Sequence, residues 1–162
     1  MSESFSVRVA KAEHVFSAAH FITFADHCER LHGHNYHVAA ELDGPLDANA
    51  LVVDFLALRA MLTEITRQLD HYVLLPTQHP QIRVTQSADE ITAAFESRRW
   101  TFPSGDCRLL AVANTTAELL AHHIGQALLA ALSTKLGFVP LRLRIELDEC
   151  DGQLGIYEWR PS

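Results

Sequence analysis

With 162 residues, 48% of them hydrophobic and 20% charged, the chain can bury one core and lacks the bias of a disordered or fibrous protein. A formal net charge of -7, with no dense run of lysine or arginine, argues against a nucleic-acid-binding face. No stretch approaches the roughly 18 consecutive apolar residues of a membrane span. Met1–Ser6 shows neither the basic nor the apolar region of a secretory leader. The three cysteines, Cys28, Cys107 and Cys150, are too few and too scattered for a disulfide framework and fit a reduced, cytoplasmic setting. Ten histidines are the anomaly, five of them between His14 and His34.

Residues 5–12 alternate as a strand, with Phe5, Val7 and Val9 on one face. The apolar parity then switches to Phe16, Ala18 and His20, which predicts a bulge or bend near 11–15. Residues 21–30 read as a loop and 31–43 as a second strand. On that strand Tyr36, Val38, Ala40 and Leu42 share a face with His32 and His34, whereas His37 has the opposite parity. Asp43-Gly44-Pro45 ends it in a turn. Asp54 is an N-cap candidate for a helix over 55–69, whose buried stripe is Phe55, Leu58, Leu62, Ile65 and Leu69. Asp70-His71 falls at the end of that helix. Neighbouring helical residues diverge, so Asp70 is not expected to orient His71, and His71 also suits a helix C-terminus as a dipole partner.

Residues 78–111 read as an inserted hairpin-like unit, too short for a core of its own. Its strands are Ile82–Thr85 and Arg99–Phe102, and Asp89–Ser97 forms either a helical turn or a hairpin tip. Asn114–Glu118 reads as a capping box, with Thr115 capping and Glu118 reaching back, before a helix that stops at Gly137. Val139, Leu141, Leu143, Ile145 and Leu147 then form the inward row of a strand over 139–149, with Arg142, Arg144, Glu146 and Asp148 outward. Gly155–Trp159 is a last short strand. The order strand, strand, helix, insert, helix, strand, strand makes a single α+β domain over 1–162, an antiparallel sheet with helices on one face.

The chemistry concentrates in Cys28–His37. His32 and His34, two apart on a strand, present two imidazoles on one face, which is half a zinc site, and Gly33 between them lets another group approach. His20 is the best third ligand. Three imidazoles with an open fourth position suit catalytic rather than structural zinc. Cys28, near a cation and several imidazoles, is a candidate base or nucleophile. Glu149 ends the inward row of the last long strand. It lies either at a solvated rim or against a specific partner. His14, His27, His79, His122 and His123 read as surface or satisfied core residues.

These residues together resemble the 6-pyruvoyl-tetrahydropterin synthase family, which includes the 6-carboxy-tetrahydropterin synthases of the queuosine pathway. The resemblance is carried in order by Phe16–His20, Cys28-x3-His32-Gly-His34-Asn-Tyr36, Val53-Asp54-Phe55, Leu69-Asp70-His71, Asn114–Glu118 and Glu149 eight residues before Tyr157. The short gap between Cys28 and His32 looks like the bacterial 6-carboxy branch. The resemblance implies the T-fold, a four-stranded antiparallel sheet with two helices on one side. It also implies a homo-oligomer, commonly a hexamer, with active sites at subunit interfaces. By the same resemblance Zn2+ sits on His20, His32 and His34, Cys28 accepts a proton, and His71, Asp70 and Glu149 form the relay. Thr115, Thr116 and Glu149 contact the pterin. The implied substrate is 7,8-dihydroneopterin triphosphate and the implied product is 6-carboxy-5,6,7,8-tetrahydropterin, with no nucleic-acid or membrane partner. A 6-pyruvoyl product, dihydroneopterin side-chain cleavage and a non-catalytic zinc- or ligand-binding member stay open as alternatives. The insert and the run Leu147-Asp-Glu-Cys-Asp151 depart from the family pattern, with Glu146 the fallback for Glu149.

Overall fold

The computed structural model describes residues 3–162, with the side chain of Lys11 left aside. Its main sheet has six strands: β1 (Phe5–His20), β4 (His32–Gly44), β5 (Tyr72–Pro76), β9 (Cys107–Leu110), β10 (Arg142–Cys150) and β11 (Gln153–Trp159). Their order across the sheet is β11-β10-β4-β1-β5-β9. The four strands from β11 to β1 are mutually antiparallel, as expected from the sequence. The sheet then continues through β5 and β9, which run parallel to β1 and to each other. β5 precedes the insert and β9 forms its end; at five and four residues, Tyr72–Pro76 and Cys107–Leu110 are too brief to show a period.

The bulge in β1 lies where the parity switch predicted it. Ala10 pairs with Ala39 and Val15 with His37, so residues 11–14 stand opposite the single residue Val38. The excess is an odd number of residues, so the inward side changes from Val9 to Phe16, Ala18 and His20, all buried. This flip turns His20 to the same side as its cross-strand partner His32.

Helix α1 (Phe55–Arg67) starts at Asp54, whose carboxylate accepts from the Leu56 N–H. Helix α2 (Ala117–Leu136) ends at Gly137, whose φ of 61° closes the last turn in the left-handed region. α1 packs on β1, α2 on β10 and β11, and the helices touch each other, so both cover one face of the sheet. Leu58, Leu62, Ile65 and Leu69 are buried there as expected, but Phe55, the first residue of the helix, is exposed. The inward row of β10 likewise begins only at Leu143. Val139 and Leu141 precede the strand and are exposed. The opposite face carries Arg142 paired with Glu41, Asp43 and Glu158, and Arg8 paired with Glu146.

Residues 83–103 form a three-stranded antiparallel meander rather than a hairpin: β6 (Arg83–Gln86), β7 (Glu90–Phe95) and β8 (Arg98–Pro103). Asp89–Ser97, expected as a helical turn or tip, contributes its middle strand. Alternation along β7 buries Ile91, Ala93 and Phe95. They close a second apolar cluster with Phe21, Cys28, Leu75, Ile82 and Cys107. The insert thus shares its core with the segment that leads into the histidines. Among the described residues, no helix is long and apolar enough to cross a membrane.

Candidate metal centre and its two clefts

His20 ends β1 and pairs directly with His32, the first residue of β4, and His34 follows on the same face. One nitrogen from each of the three rings lies within 4.8 Å of the others. The ring centroids are 4.7 Å apart for His20 and His32, 5.3 Å for His20 and His34, and 5.0 Å for His32 and His34. Gly33 makes this crossing possible, because a Cβ there would stand 2.9 Å from the Ala18 carbonyl oxygen.

Two backbone contacts settle which nitrogen faces the cluster. His20 Nδ1 is 2.9 Å from the Thr115 carbonyl oxygen and His32 Nδ1 is 2.8 Å from the Arg30 carbonyl oxygen. A carbonyl only accepts, so each Nδ1 carries the proton and donates, leaving the Nε2 lone pairs turned toward the cluster. This is the outer-shell arrangement that orients imidazole ligands for a cation. Burial lowers the His20 pKa, against the Thr115 hydrogen bond and the Glu149 charge, while His32 and His34 add to the lowering. The donor set fits a divalent metal of zinc type.

Glu149 is partly exposed at the lining of a cleft and also has specific partners. It falls at a second bulge, where Asp148 pairs with Leu154 but Cys150 pairs with Gln153. The bulge aims its Oε1 at the cluster, 3.4 Å from His20 Nε2 and 3.9 Å from His34 Nε2. Tyr36 donates to the same oxygen at 3.2 Å, and its hydroxyl is 3.1 Å from His20 Nε2. Burial, then the Glu149 charge, push the phenol well above its ordinary pKa, so it stays a donor. Tyr36 was not assigned a role in the sequence, although its parity with His32 and His34 is the signal for one. Glu146, the fallback, instead points outward to Arg8.

The Asp70-His71 pair is also corrected. Both residues lie beyond the helix, and His71 has φ 62°, a left-handed conformation that lets it turn back onto Asp70. His71 Nδ1 is 2.9 Å from Asp70 Oδ2. Asp70 Oδ1 accepts from the Ser17 N–H at 2.8 Å, and the His71 N–H donates to the Ser17 carbonyl at 2.6 Å. The pair is therefore stitched to β1 three residues before His20. Burial works to raise the Asp70 carboxyl, but hydrogen bonds from the Ser17 amide and His71 hold it below the usual carboxylate range.

Thr115 is not the helix cap. Thr116 caps α2 by accepting from the Leu119 N–H. Thr115 is fully buried, and its hydroxyl donates to the Phe21 carbonyl at 3.2 Å while its own carbonyl holds His20. Asn114 donates to the Thr23 carbonyl, so this short segment lashes down the hairpin of β2 (Thr23–Phe24) and β3 (His27–Cys28), a region the sequence presented as loop. Cys28 is buried in the second apolar cluster. Burial pushes its thiol up rather than toward ionisation, against the Arg98 guanidinium and together with Glu29. Its neighbour Glu29 reaches the cluster, with Oε2 3.9 Å from His32 Nε2.

Two clefts flank the cluster. One, of about 470 Å³, is lined by Ser17, His34, Asn35, His71, Tyr72 and Asp106 among others. The other, of about 390 Å³, is lined by Ile22, Thr116, Glu118, Glu149, Gln153 and Gly155 among others. Three imidazoles, a carboxylate and a tyrosine thus sit between a cleft lined by His71 and a cleft lined by Glu118 and Glu149.

Sheet, helices and site together define an α+β protein with a preformed three-histidine centre. The model of the family described as 6-pyruvoyl tetrahydropterin synthase matches residues 9–158. A Methanocaldococcus jannaschii protein, provisionally named a 6-carboxy-5,6,7,8-tetrahydropterin synthase, is 29% identical over 144 residues, which cover 88% of each chain. A Pyrococcus horikoshii protein with the same provisional name is 25% identical over 130 residues, covering 79% of this chain and 78% of that one. Among solved structures, the 6-pyruvoyl tetrahydropterin synthase of Plasmodium falciparum is similar at a TM-score of 0.92 and 25% identity, covering 99% of this chain and 100% of that one. That of Caenorhabditis elegans is similar at 0.58 and 17% identity, covering 99% and 97%. The chain belongs to the 6-pyruvoyl tetrahydropterin synthase family and has its T-fold.

Proposed function

We propose that this protein is a zinc-dependent pterin synthase or lyase that acts on 7,8-dihydroneopterin triphosphate and releases 6-carboxy-5,6,7,8-tetrahydropterin. The observation that carries the reading is the convergence of His20, His32 and His34, with two Nδ1 atoms tied to carbonyls and the Nε2 lone pairs turned inward. The provisional names of the archaeal relatives support the product.

His20, His32 and His34 would hold the zinc. Zinc there would supply Lewis-acid polarisation of the substrate's side-chain hydroxyls. Glu149 and Thr116, which line one cleft, accept hydrogen bonds from the ring N–H groups of the pterin. Thr115, whose hydroxyl donates to the Phe21 carbonyl, takes part by holding His20 through its own carbonyl. His71, oriented by Asp70 and placed in the other cleft with His34, moves a proton at its Nε2. Cys28 serves as proton acceptor at Sγ, a role that its burial in the second apolar cluster opposes. The sites are completed between subunits of a homo-oligomer, a hexamer by the family pattern. The unpaired outer edges of β11 and β9 are consistent with edge-to-edge association. The setting is cytoplasmic and the pathway that of queuosine.

The buried Cys28 thiol favours a second reading, a zinc-stabilised member of the family without this turnover. Incubating the zinc-loaded protein with dihydroneopterin triphosphate and weighing the products separates the two. The 6-carboxy product with acetaldehyde and inorganic triphosphate is expected, with one zinc per subunit and turnover lost in Cys28→Ala. A protein that holds one zinc per subunit and leaves the substrate unchanged refutes the first reading.

A further inference from the structure

The insert carries one side chain that reaches the site loop in two places. Arg98, at the start of β8, donates from Nη1 to the Cys28 carbonyl at 2.5 Å and from Nη2 to the Glu29 carbonyl at 3.0 Å. The two carbonyls lie at the end of β3 and on the residue just after it, where the chain leaves the hairpin for His32. A planar guanidinium can serve two successive carbonyls at once, and a lysine ammonium cannot do so with fixed direction. The guanidinium is itself held, with its carbon 4.5 Å from the centre of the Trp100 ring. Trp100 in turn stacks on Phe21 at 4.4 Å, one residue after His20. The same Cys28–Glu29 peptide is held on its opposite side by the Glu29 N–H, which donates to the Ile22 carbonyl at 3.0 Å.

The peptide so clamped decides how two consecutive side chains divide. Cys28 goes inward to Phe21, Leu75 and Ile91, and Glu29 goes toward His32. A one-residue slip of this segment would exchange them. We infer that Arg98 is a positioning residue, the means by which the inserted meander sets the orientation of the Cys28–Glu29 segment beside the three-histidine cluster. The inference rests on the proposed function for its activity readout only. The clamp itself is testable without substrate.

The test compares Arg98→Ala and Arg98→Lys with wild type in the zinc-loaded full chain, using Arg99→Ala, an exposed neighbour on the same strand, as control. Hydrogen exchange at the Glu29 amide is read first. It is expected to quicken by about tenfold or more in both Arg98 variants, because the carbonyls on either side lose their anchor. Wild-type exchange is expected in Arg99→Ala. With the pterin substrate, kcat is expected to fall by about 10- to 100-fold in both Arg98 variants with a smaller change in KM, as misplacement of a reacting group does. Unchanged exchange in both variants overturns the inference. Full recovery by Arg98→Lys overturns it too, since charge alone would then suffice. If Arg98→Ala does not fold, Arg98→Lys carries the decision. If wild type shows no turnover at all, the proposed function falls, and the exchange measurement still decides the clamp.

Discussion

Replacing Thr115 by valine removes one hydroxyl and nothing else of comparable size. That hydroxyl is fully buried and donates to the Phe21 carbonyl at 3.2 Å. In Thr115→Val the Phe21 carbonyl keeps no hydroxyl donor, and a methyl group takes the space, so no cavity forms. Leaving a buried acceptor unsatisfied costs about 1–3 kcal/mol. For a chain of this length each kcal/mol moves the melting temperature by about 2–4 °C, so a drop of about 2–12 °C is expected. The Thr115 carbonyl still holds His20 Nδ1, so zinc content should be retained. The assay is thermal unfolding by circular dichroism at fixed protein and zinc concentration, with KM for the pterin measured alongside. A melting temperature within 1 °C of wild type, accompanied by a several-fold rise in KM, would refute the reasoning. The hydroxyl would then serve substrate rather than the hairpin.

His79 gives a pH prediction. Its Nδ1 accepts from the Gln81 and Ile82 N–H groups at 2.9 and 2.8 Å, so the proton sits on Nε2, which donates to Thr23 Oγ1. Burial lowers its pKa below the ordinary 6.5. A neutral ring is what the fold binds, so its contribution is complete above 6.5 and is lost as pH falls from there through the lowered folded-state value. The melting temperature of wild type should therefore drop between pH 7.5 and 5.5 more steeply than that of His79→Gln; parallel curves would count against this. Two glycine substitutions form a pair. At Gly155 a Cβ would stand 2.4 Å from the Ala117 carbonyl carbon at the start of α2, whereas at Gly105 it would meet nothing within 4 Å. Gly155→Ala should cost about 1–3 kcal/mol by urea unfolding, and Gly105→Ala should lie within about 0.5 kcal/mol of wild type.

Much of this molecule was legible in the chain because its signals are local. Alternation along His32–Gly44 and Arg142–Leu147, the Asp54 and Gly137 helix ends, and the parity switch before Phe16 depend on neighbours a few residues away. The three histidines were also legible. His32 and His34 share a face by strand period alone, whereas His20 was a candidate whose place opposite His32 was decided by the register of β1 and β4. The tertiary structure decided the rest, where contacts join residues far apart in sequence. The bulge at Glu149 turns a strand-end carboxylate into the neighbour of His20. The left-handed turn at His71 brings it back onto Asp70, against the expectation from helix geometry. Pairing of β5 with β1 anchors that pair beside the site. Burial of Cys28 under Ile91 and Phe95 raises its thiol, where proximity to histidines alone suggested ionisation. Arg98 reaches across about seventy residues of sequence to hold the loop before His32, and no periodicity records such a contact. A residue's face follows from its own stretch of chain, whereas its partner, its charge state and the peptide it holds depend on which distant segments the fold packs against it.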